Sequence, residues 1–87
     1  MMRAKKKQVQ PRSGPERAFG DILRSRRKKI GLSQEKLAFE TGFDRTTISL
    51  MERGLLSPTL RTMVRLCRLL RLPFSELAKQ VEESELF

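Results

Sequence analysis

Residues 32–54 have the sequence LSQEKLAFETGFDRTTISLMERG, and this stretch decides the fold. It contains two short runs with apolar residues at helical spacing, separated by Gly42. Ser33 and Asp44 precede the two runs, and both residue types are favoured as helix N-caps. Gly42 and Gly54 follow them, as glycine commonly does where a helix ends. The stretch therefore predicts two helices joined by a short turn within residues 34–53, the second over residues 45–53.

The sequence on either side predicts three further helices. Before the stretch, apolar residues recur at helical spacing in ERAFGDILRSRRKKI and stop at Gly31. After it, Thr59 can cap a fourth helix and Pro73 can start a fifth. The apolar stripe expected on the fourth helix consists of Leu60, Met63, Val64, Cys67 and Leu70. Helices this short are marginal when isolated. With no sustained strand alternation, we predict an all-α, compact five-helix domain.

Composition and charge narrow the classes of function. The 87 residues include 19 Lys and Arg against 10 Asp and Glu, a net charge of +9 that favours anionic partners. Histidine is absent, and we find no P-loop and no clustered carboxylate pair, so we do not expect an enzyme. Cys67 is the sole cysteine, which leaves no second ligand for a metal site, and we expect a core residue and no cofactor. No apolar run approaches a membrane span, and we expect a cytoplasmic protein.

The charged residues divide the chain into three segments. Residues 1–15 carry five basic side chains and no acidic one, and we predict a disordered basic arm. Residues 16–81 contain all the predicted helices and form the domain. Residues 82–87, EESELF, form a short acidic C-terminal tail. The basic arm could follow a DNA backbone, or it could be disordered without a function.

The two central helices predict a DNA-binding surface. The three-residue link GFD joins helices at a steep angle, as in a helix-turn-helix. The outer face of the second helix would then display hydroxyls, arginines and one leucine, namely Arg45, Thr46, Thr47, Ser49, Leu50 and Arg53. Arginine can pair with guanine, Ser and Thr contact base edges or phosphates, and apolar groups meet thymine methyls. Gln34 stands at the positive N-terminus of the preceding helix, where a phosphate could bind.

The chain resembles the lambda-repressor/Cro-like (XRE-like) helix-turn-helix transcriptional regulators. The resemblance rests on FGDILRSRR, GLSQEKLA, RTTISLMERG, SPTLRTMVRL and FSELAK, over about residues 19–79. It implies phosphate contact by Gln34, base or phosphate contact by four residues of the third helix (Arg45, Thr46, Thr47 and Ser49), and phosphate contacts by Ser57 and Thr59. It also implies that Arg27 pairs with Glu52. DRTTIS is similar to restriction-modification controller proteins, which are small dimeric members of the family.

Five positions depart from the family pattern. Arg26 stands where the family usually has an apolar residue, and Leu55 and Leu56 replace polar or basic residues of the loop that approaches phosphates. Phe39 is apolar on a face that is normally solvated. Arg71 replaces the glycine that usually ends the fourth helix, at a position that often needs a positive φ.

The resemblance implies a sequence-specific regulator that binds double-stranded DNA. A single recognition helix covers too few base pairs for specificity, so we expect a homodimer, with the fifth helix and the tail as the pairing surface. One alternative is an antitoxin-type protein-interaction module that also binds DNA. Another is a non-specific basic binder of nucleic acid or of membranes. The sequence leaves the operator, the sign of regulation and the subfamily open.

Overall fold

The computed structural model describes residues 14–84, and within this range the chain forms five α-helices and no strand. The helices are α1 (Pro15–Lys29), α2 (Gln34–Thr41), α3 (Arg45–Glu52), α4 (Leu60–Leu69) and α5 (Phe74–Glu83). The predicted all-α five-helix architecture is therefore confirmed. No helix in the described range is long and apolar enough to cross a membrane.

Local side-chain chemistry sets the starts of the three central helices. The Ser33 hydroxyl accepts a hydrogen bond from the Lys36 backbone N–H at 2.9 Å, which caps α2. Asp44 and Thr59 cap α3 and α4 in the same manner, through bonds of 2.8 and 3.1 Å. Each cap satisfies a backbone donor that has no partner inside its helix, so these polar residues fix where the helices begin.

Gly42 forms the turn between α2 and α3. Its φ of 81° lies in the left-handed region, which costs a non-glycine residue roughly 1 kcal/mol or more. The Phe43 backbone N–H donates to the Ala38 carbonyl at 3.0 Å and closes the last turn of α2. Because Gly42 takes the left-handed conformation, α2 ends there and the chain passes into α3 after a link of three residues.

The core lies where α3 packs against α1 and α2, and where α5 covers α1 and α4. Five side chains are almost completely buried, namely Leu37, Ile48, Met51, Leu66 and Leu70. The expected stripe on α4 is wrong at its first position, since Leu60 is 62% exposed. Leu66, which the stripe omits, is buried instead, because it faces the core beside Cys67. Cys67 is buried as expected, and burial raises the pKa of its thiol.

Gly20 lies where the backbone of α3 comes close to α1. A Cβ atom added to Gly20 would lie 2.6 Å from the Glu52 carbonyl oxygen and would also overlap the Met51 carbonyl oxygen. Both obstacles are backbone atoms, which cannot rotate away as a side chain would. The absence of a side chain at Gly20 therefore lets the C-terminal end of α3 rest directly on α1.

Two departures from the family pattern contact each other. Arg71 has a φ of 56° and is the one described non-glycine residue with a positive φ, as the sequence predicts. Arg26 donates from Nε to the Leu70 carbonyl and from Nη2 to the Arg71 carbonyl, each at 2.8 Å. Arg26 thus binds the carbonyls at the end of α4, where Arg71 takes a positive φ.

The helices extend slightly beyond the predicted domain at both ends. Pro15 begins α1 although it was assigned to the arm of residues 1–15, because proline is favoured at the first helical position. Helix α5 continues through Glu83, two residues into the predicted tail of residues 82–87. The remainder of the arm, residues 1–13, and the last three residues of the tail lie outside the described residues.

Candidate nucleic-acid interface

Helix α3 has one buried face and one open face. Ile48, Met51 and Glu52 are at most 4% exposed and point toward the core. The opposite face carries the predicted contact residues, with Arg45, Thr46 and Arg53 exposed and with Thr47, Ser49 and Leu50 half-buried. Arg53 is the C-cap of the helix, one residue beyond its last turn. The predicted contact residues therefore share one accessible face of α3, which runs from its first residue to its C-cap.

Asp44 fixes the start of this surface. Hydrogen bonds from the Thr47 hydroxyl and from the Thr47 backbone N–H lower the pKa of the Asp44 carboxyl. Asp44 therefore remains ionised at neutral pH, and its negative charge also suits the positive end of the helix dipole. Thr47 is engaged with this cap, so it has less freedom to contact a ligand than Thr46 has.

Arg45 forms an ion pair with Glu35 across the turn. The Arg45 Nε lies 3.4 Å from the Glu35 Oε2, and both side chains are exposed, by 61% and 70%. Glu35 belongs to the first turn of α2, next to Gln34. A second acidic side chain, besides the capping Asp44, thus lies at this surface, and it contacts the arginine predicted to pair with guanine.

Beneath the surface, the buried Arg27 and Glu52 and the half-buried Gln34 form one hydrogen-bonded network. The Arg27 guanidinium donates from Nε to Glu52 Oε2 at 2.6 Å and from Nη2 to Glu52 Oε1 at 3.0 Å. Gln34 donates from Nε2 to the same Oε1 at 3.0 Å. Arg27 also donates from Nη1 to the Leu32 carbonyl at 2.8 Å. The network joins α1, α2 and α3, so the helix carrying the contact residues is held by directional bonds as well as by packing.

Charge and burial act in opposite directions on Arg27. The hydrogen bond to Glu52 and the nearby charges of Glu52 and Glu35 raise the pKa of the guanidinium, although burial alone would lower it. Arg27 and Glu52 are only 7% and 4% exposed, so neither charge has water as a substitute partner. The bidentate geometry is what makes the burial of these two charges tolerable.

Gln34 therefore has a partner inside the protein, besides any phosphate that it could bind. Its side chain is half-buried and its Nε2 is bonded to Glu52, which orients the amide.

The loop after α3 brings Ser57 and Thr59 to the surface, and both are exposed. The Thr59 hydroxyl already accepts the capping bond of α4 and donates to the Thr62 hydroxyl at 3.1 Å. Leu55 and Leu56 are also exposed in this loop, so it presents apolar groups beside its hydroxyls.

Residues 23–77 match the family model described as Helix-turn-helix. The chain belongs to the helix-turn-helix family. The crystal structure of the restriction-modification controller protein C.AhdI from Aeromonas hydrophila is similar, with 39% identity and a TM-score of 0.67. The match covers 71% of this chain and 94% of that one.

Two other relatives support the same assignment. An uncharacterised HTH-type transcriptional regulator from Methanothermobacter thermautotrophicus is 43% identical over 49 residues, which is 56% of this chain and 71% of that protein. The P22 c2 repressor, solved in complex with a synthetic operator, is 29% identical with a TM-score of 0.63, covering 68% of this chain and 89% of its own. Both the resemblance to lambda-repressor/Cro-like proteins and the functional class of DNA-binding transcriptional regulator are confirmed, and the antitoxin alternative is not favoured.

Sequence reasoning did not find two features of this helix-turn-helix surface. Glu35 received no role, because an acidic residue in the first turn of a helix is ordinary. The bond between Gln34 and Glu52 was also missed, since a spacing of 18 residues does not indicate a contact. No group of three or more His, Cys, Asp or Glu side chains that could hold a metal occurs in residues 14–84.

Proposed function

We propose that this chain is a sequence-specific regulator of transcription that binds double-stranded DNA by laying α3 in the major groove. The observation that supports it is the division of α3 into a face that is buried in the domain and an open face that carries arginine and hydroxyl side chains. A helix that served only for packing would not need the second face. We also propose a cytoplasmic location, because the proposed ligand is DNA.

The contact residues are assigned by their position on α3. Residues near the N-terminus of a recognition helix reach deepest into the groove, so Arg45 and Thr46 are assigned to base edges. Ser49 and Leu50 lie one turn further along and meet the next bases, with Leu50 suited to a thymine methyl. The remaining positions are assigned to phosphates or to the groove wall, namely Gln34, Thr47, Arg53, Ser57 and Thr59.

The structure supports a particular role for Gln34 and Glu52. Because Glu52 binds the Gln34 amide, that amide is held at the N-terminus of α2 with one orientation. A phosphate that accepts a bond from Gln34 would then be located relative to α3 through a chain of fixed bonds. Gln34 would set the depth and angle at which α3 enters the groove.

We propose a homodimer in which α5 forms the pairing surface. Helix α5, the start of α1 and the loop before α4 enclose an open groove lined by apolar side chains, including Phe19, Met63, Phe74 and Val81. Phe74 is 38% exposed at one side of it. Leu69 is apolar but packs against the core, and the apolar tail residues Leu86 and Phe87 lie outside the described residues.

The dimer is tested by its mass in solution. We expect light scattering after size exclusion to give twice the chain mass of 10.1 kDa at micromolar concentration. Phe74→Glu should return the monomer mass, because a charge placed in an apolar interface is costly. Lys79→Glu, which also alters α5 at an exposed position, is the matched control and should leave the mass unchanged. A wild-type monomer, with and without its operator, would contradict the dimer.

Arg45→Ala should weaken binding to the cognate duplex by about 1–3 kcal/mol and relax the preference at one base position. The physical reason is the loss of paired hydrogen bonds to a guanine edge. The measurement is a binding titration against the cognate duplex and against duplexes that differ from it at single positions. Arg61→Ala, an exposed arginine on α4, is the control and should change affinity without changing the preference. Equal weakening of all duplexes by Arg45→Ala would reduce Arg45 to a phosphate contact.

The function itself is tested by selection of bound duplexes from a random pool, followed by titration at several salt concentrations. Specific binding should yield one enriched sequence that survives competitor DNA and still weakens as salt rises. A pool that shows no enrichment, with binding that depends on salt alone, would instead indicate a non-specific basic binder.

A further inference from the structure

Glu35 is the acidic residue that the structure places against the proposed guanine contact. Its Oε2 lies 3.4 Å from Arg45 Nε, across the turn between α2 and α3. In a surface proposed to contact a polyanion, a carboxylate carries an electrostatic cost that any nearby phosphate increases. Its presence at this point therefore needs an explanation that the contact residues alone do not supply.

The atoms in contact between Glu35 and Arg45 suggest an explanation for the carboxylate. A guanidinium has five N–H donors in a rigid plane, and the Glu35 carboxylate lies beside the single donor at Nε. The other four donors are on the two terminal nitrogens. Bidentate pairing with guanine needs two parallel donors directed at O6 and N7, and the terminal nitrogens supply them.

We propose that Glu35 is a positioning residue for Arg45 and a determinant of DNA specificity. It holds the guanidinium by Nε, so that the terminal nitrogens face a base edge, and it disfavours contact of Arg45 with the phosphates of unrelated sequences. This inference rests on the proposed function of α3, in which Arg45 contacts a base.

A second effect acts against binding to the wrong sequence. When no guanine is in reach, an unrestrained arginine can bend to a phosphate, and that contact carries no sequence information. Glu35 gives Arg45 an alternative partner in that situation, and its own charge repels the phosphate. The carboxylate therefore lowers affinity for all DNA, but it lowers the affinity for non-cognate DNA more.

The position of Glu35 on α2 also allows a structural role, and the experiment has to separate the two. An acid in the first turn of α2 would stabilise the helix dipole, which is a purely structural role. Glu40 offers a comparison, because it lies on the same helix and forms an exposed ion pair with Lys36 at 3.3 Å. Glu40 does not contact a proposed reading residue, so its neutralisation changes the charge of the protein equally without releasing Arg45.

The experiment compares Glu35→Gln with Glu40→Gln in the full chain. The measured quantity is the ratio of affinity for the selected duplex to affinity for a random duplex at one salt concentration. We expect Glu35→Gln to raise affinity for random DNA and to lower the ratio about fivefold, the upper range for an exposed ion pair. Glu40→Gln should leave the ratio within about twofold of the wild type. Thermal unfolding of both variants checks that α2 remains folded.

The same pair of measurements in an Arg45→Ala background tests whether Glu35 acts through Arg45. There, Glu35→Gln should no longer change the ratio beyond about twofold, because its partner is gone. A helix-stabilising role would instead lower the melting temperature and leave the ratio unchanged in both backgrounds.

Three results would overturn the inference. They are a ratio that stays the same or rises in Glu35→Gln, an equal fall in Glu40→Gln, and an equal fall when Arg45 is already alanine. If the wild-type chain selects no duplex at all, the proposed function fails together with this inference. If it selects one and Glu35→Gln keeps the full ratio, only the role of Glu35 is wrong.

Discussion

Replacement of Glu52 with glutamine is expected to lower the free energy of unfolding by about 3 kcal/mol. The change leaves the Arg27 guanidinium buried without its counter-charge, and a neutral amide cannot accept both of its bonds as well as the bond from Gln34. Small domains are stable by only about 5–15 kcal/mol in total, and this one buries a limited core. The variant should therefore remain folded in the cold and melt at a markedly lower temperature.

The measurement is chemical or thermal unfolding followed by circular dichroism. Ser49→Ala is the matched control. It alters the same helix, but Ser49 is not among the buried residues of α3, which are Ile48, Met51 and Glu52. We expect it to change the free energy of unfolding by less than about 0.5 kcal/mol. If Ser49→Ala proved the more destabilising of the two, the buried ion pair could not be what holds α3.

Gly20→Ala is expected to destabilise the fold by about 2–3 kcal/mol, although the same change in an exposed helix interior normally stabilises by about 1 kcal/mol. The new methyl group would have to occupy the space of the Met51 and Glu52 carbonyl oxygens. To remove this overlap, α1 would have to move away from α3. That movement would separate Arg27 from Glu52 and loosen the packing around Met51. The sign of the effect is thus set by tertiary contact and not by helix propensity.

Unfolding of Gly20→Ala is compared with that of Ser25→Ala, an exposed position later in α1. Ser25→Ala should be neutral or stabilising by up to about 0.5 kcal/mol, because alanine has the higher helix propensity. A more stable Gly20→Ala variant would mean that α1 and α3 are further apart than the structure indicates.

The sequence predicts the elements of this fold because their boundaries depend on local chemistry. The hydroxyl or carboxyl of Ser33, Asp44 and Thr59 caps a donor only three residues away, so a pattern of neighbouring residues is enough to locate the start. Gly20 is different. Its importance depends on the distance between two helices, and nothing within a few residues of it indicates that another backbone will lie against it.

The candidate site also contains features that the local sequence predicts and features that it does not. The open face of α3 follows from the helical repeat and from the residue types that it carries, so Arg45, Thr46 and Ser49 could be named before the fold was known. The partner of Arg45 could not, because exposed charged side chains have many possible partners and small pairing energies. The stripe on α4 is an intermediate case. Its residues have helical spacing, but Leu60 is exposed and Leu66, which the stripe omits, is buried.

The contact at Gly20 has a mechanical consequence for operator choice. At Gly20 the backbone of α3 lies against α1 with no side chain between them, so the two helices cannot come closer together there. In the proposed dimer, each copy would therefore meet the double helix with α3 held at a fixed position on α1. Operators whose half-sites differ in spacing or bend would have to be accommodated by flexing at the junction between two copies, or by distortion of the DNA itself.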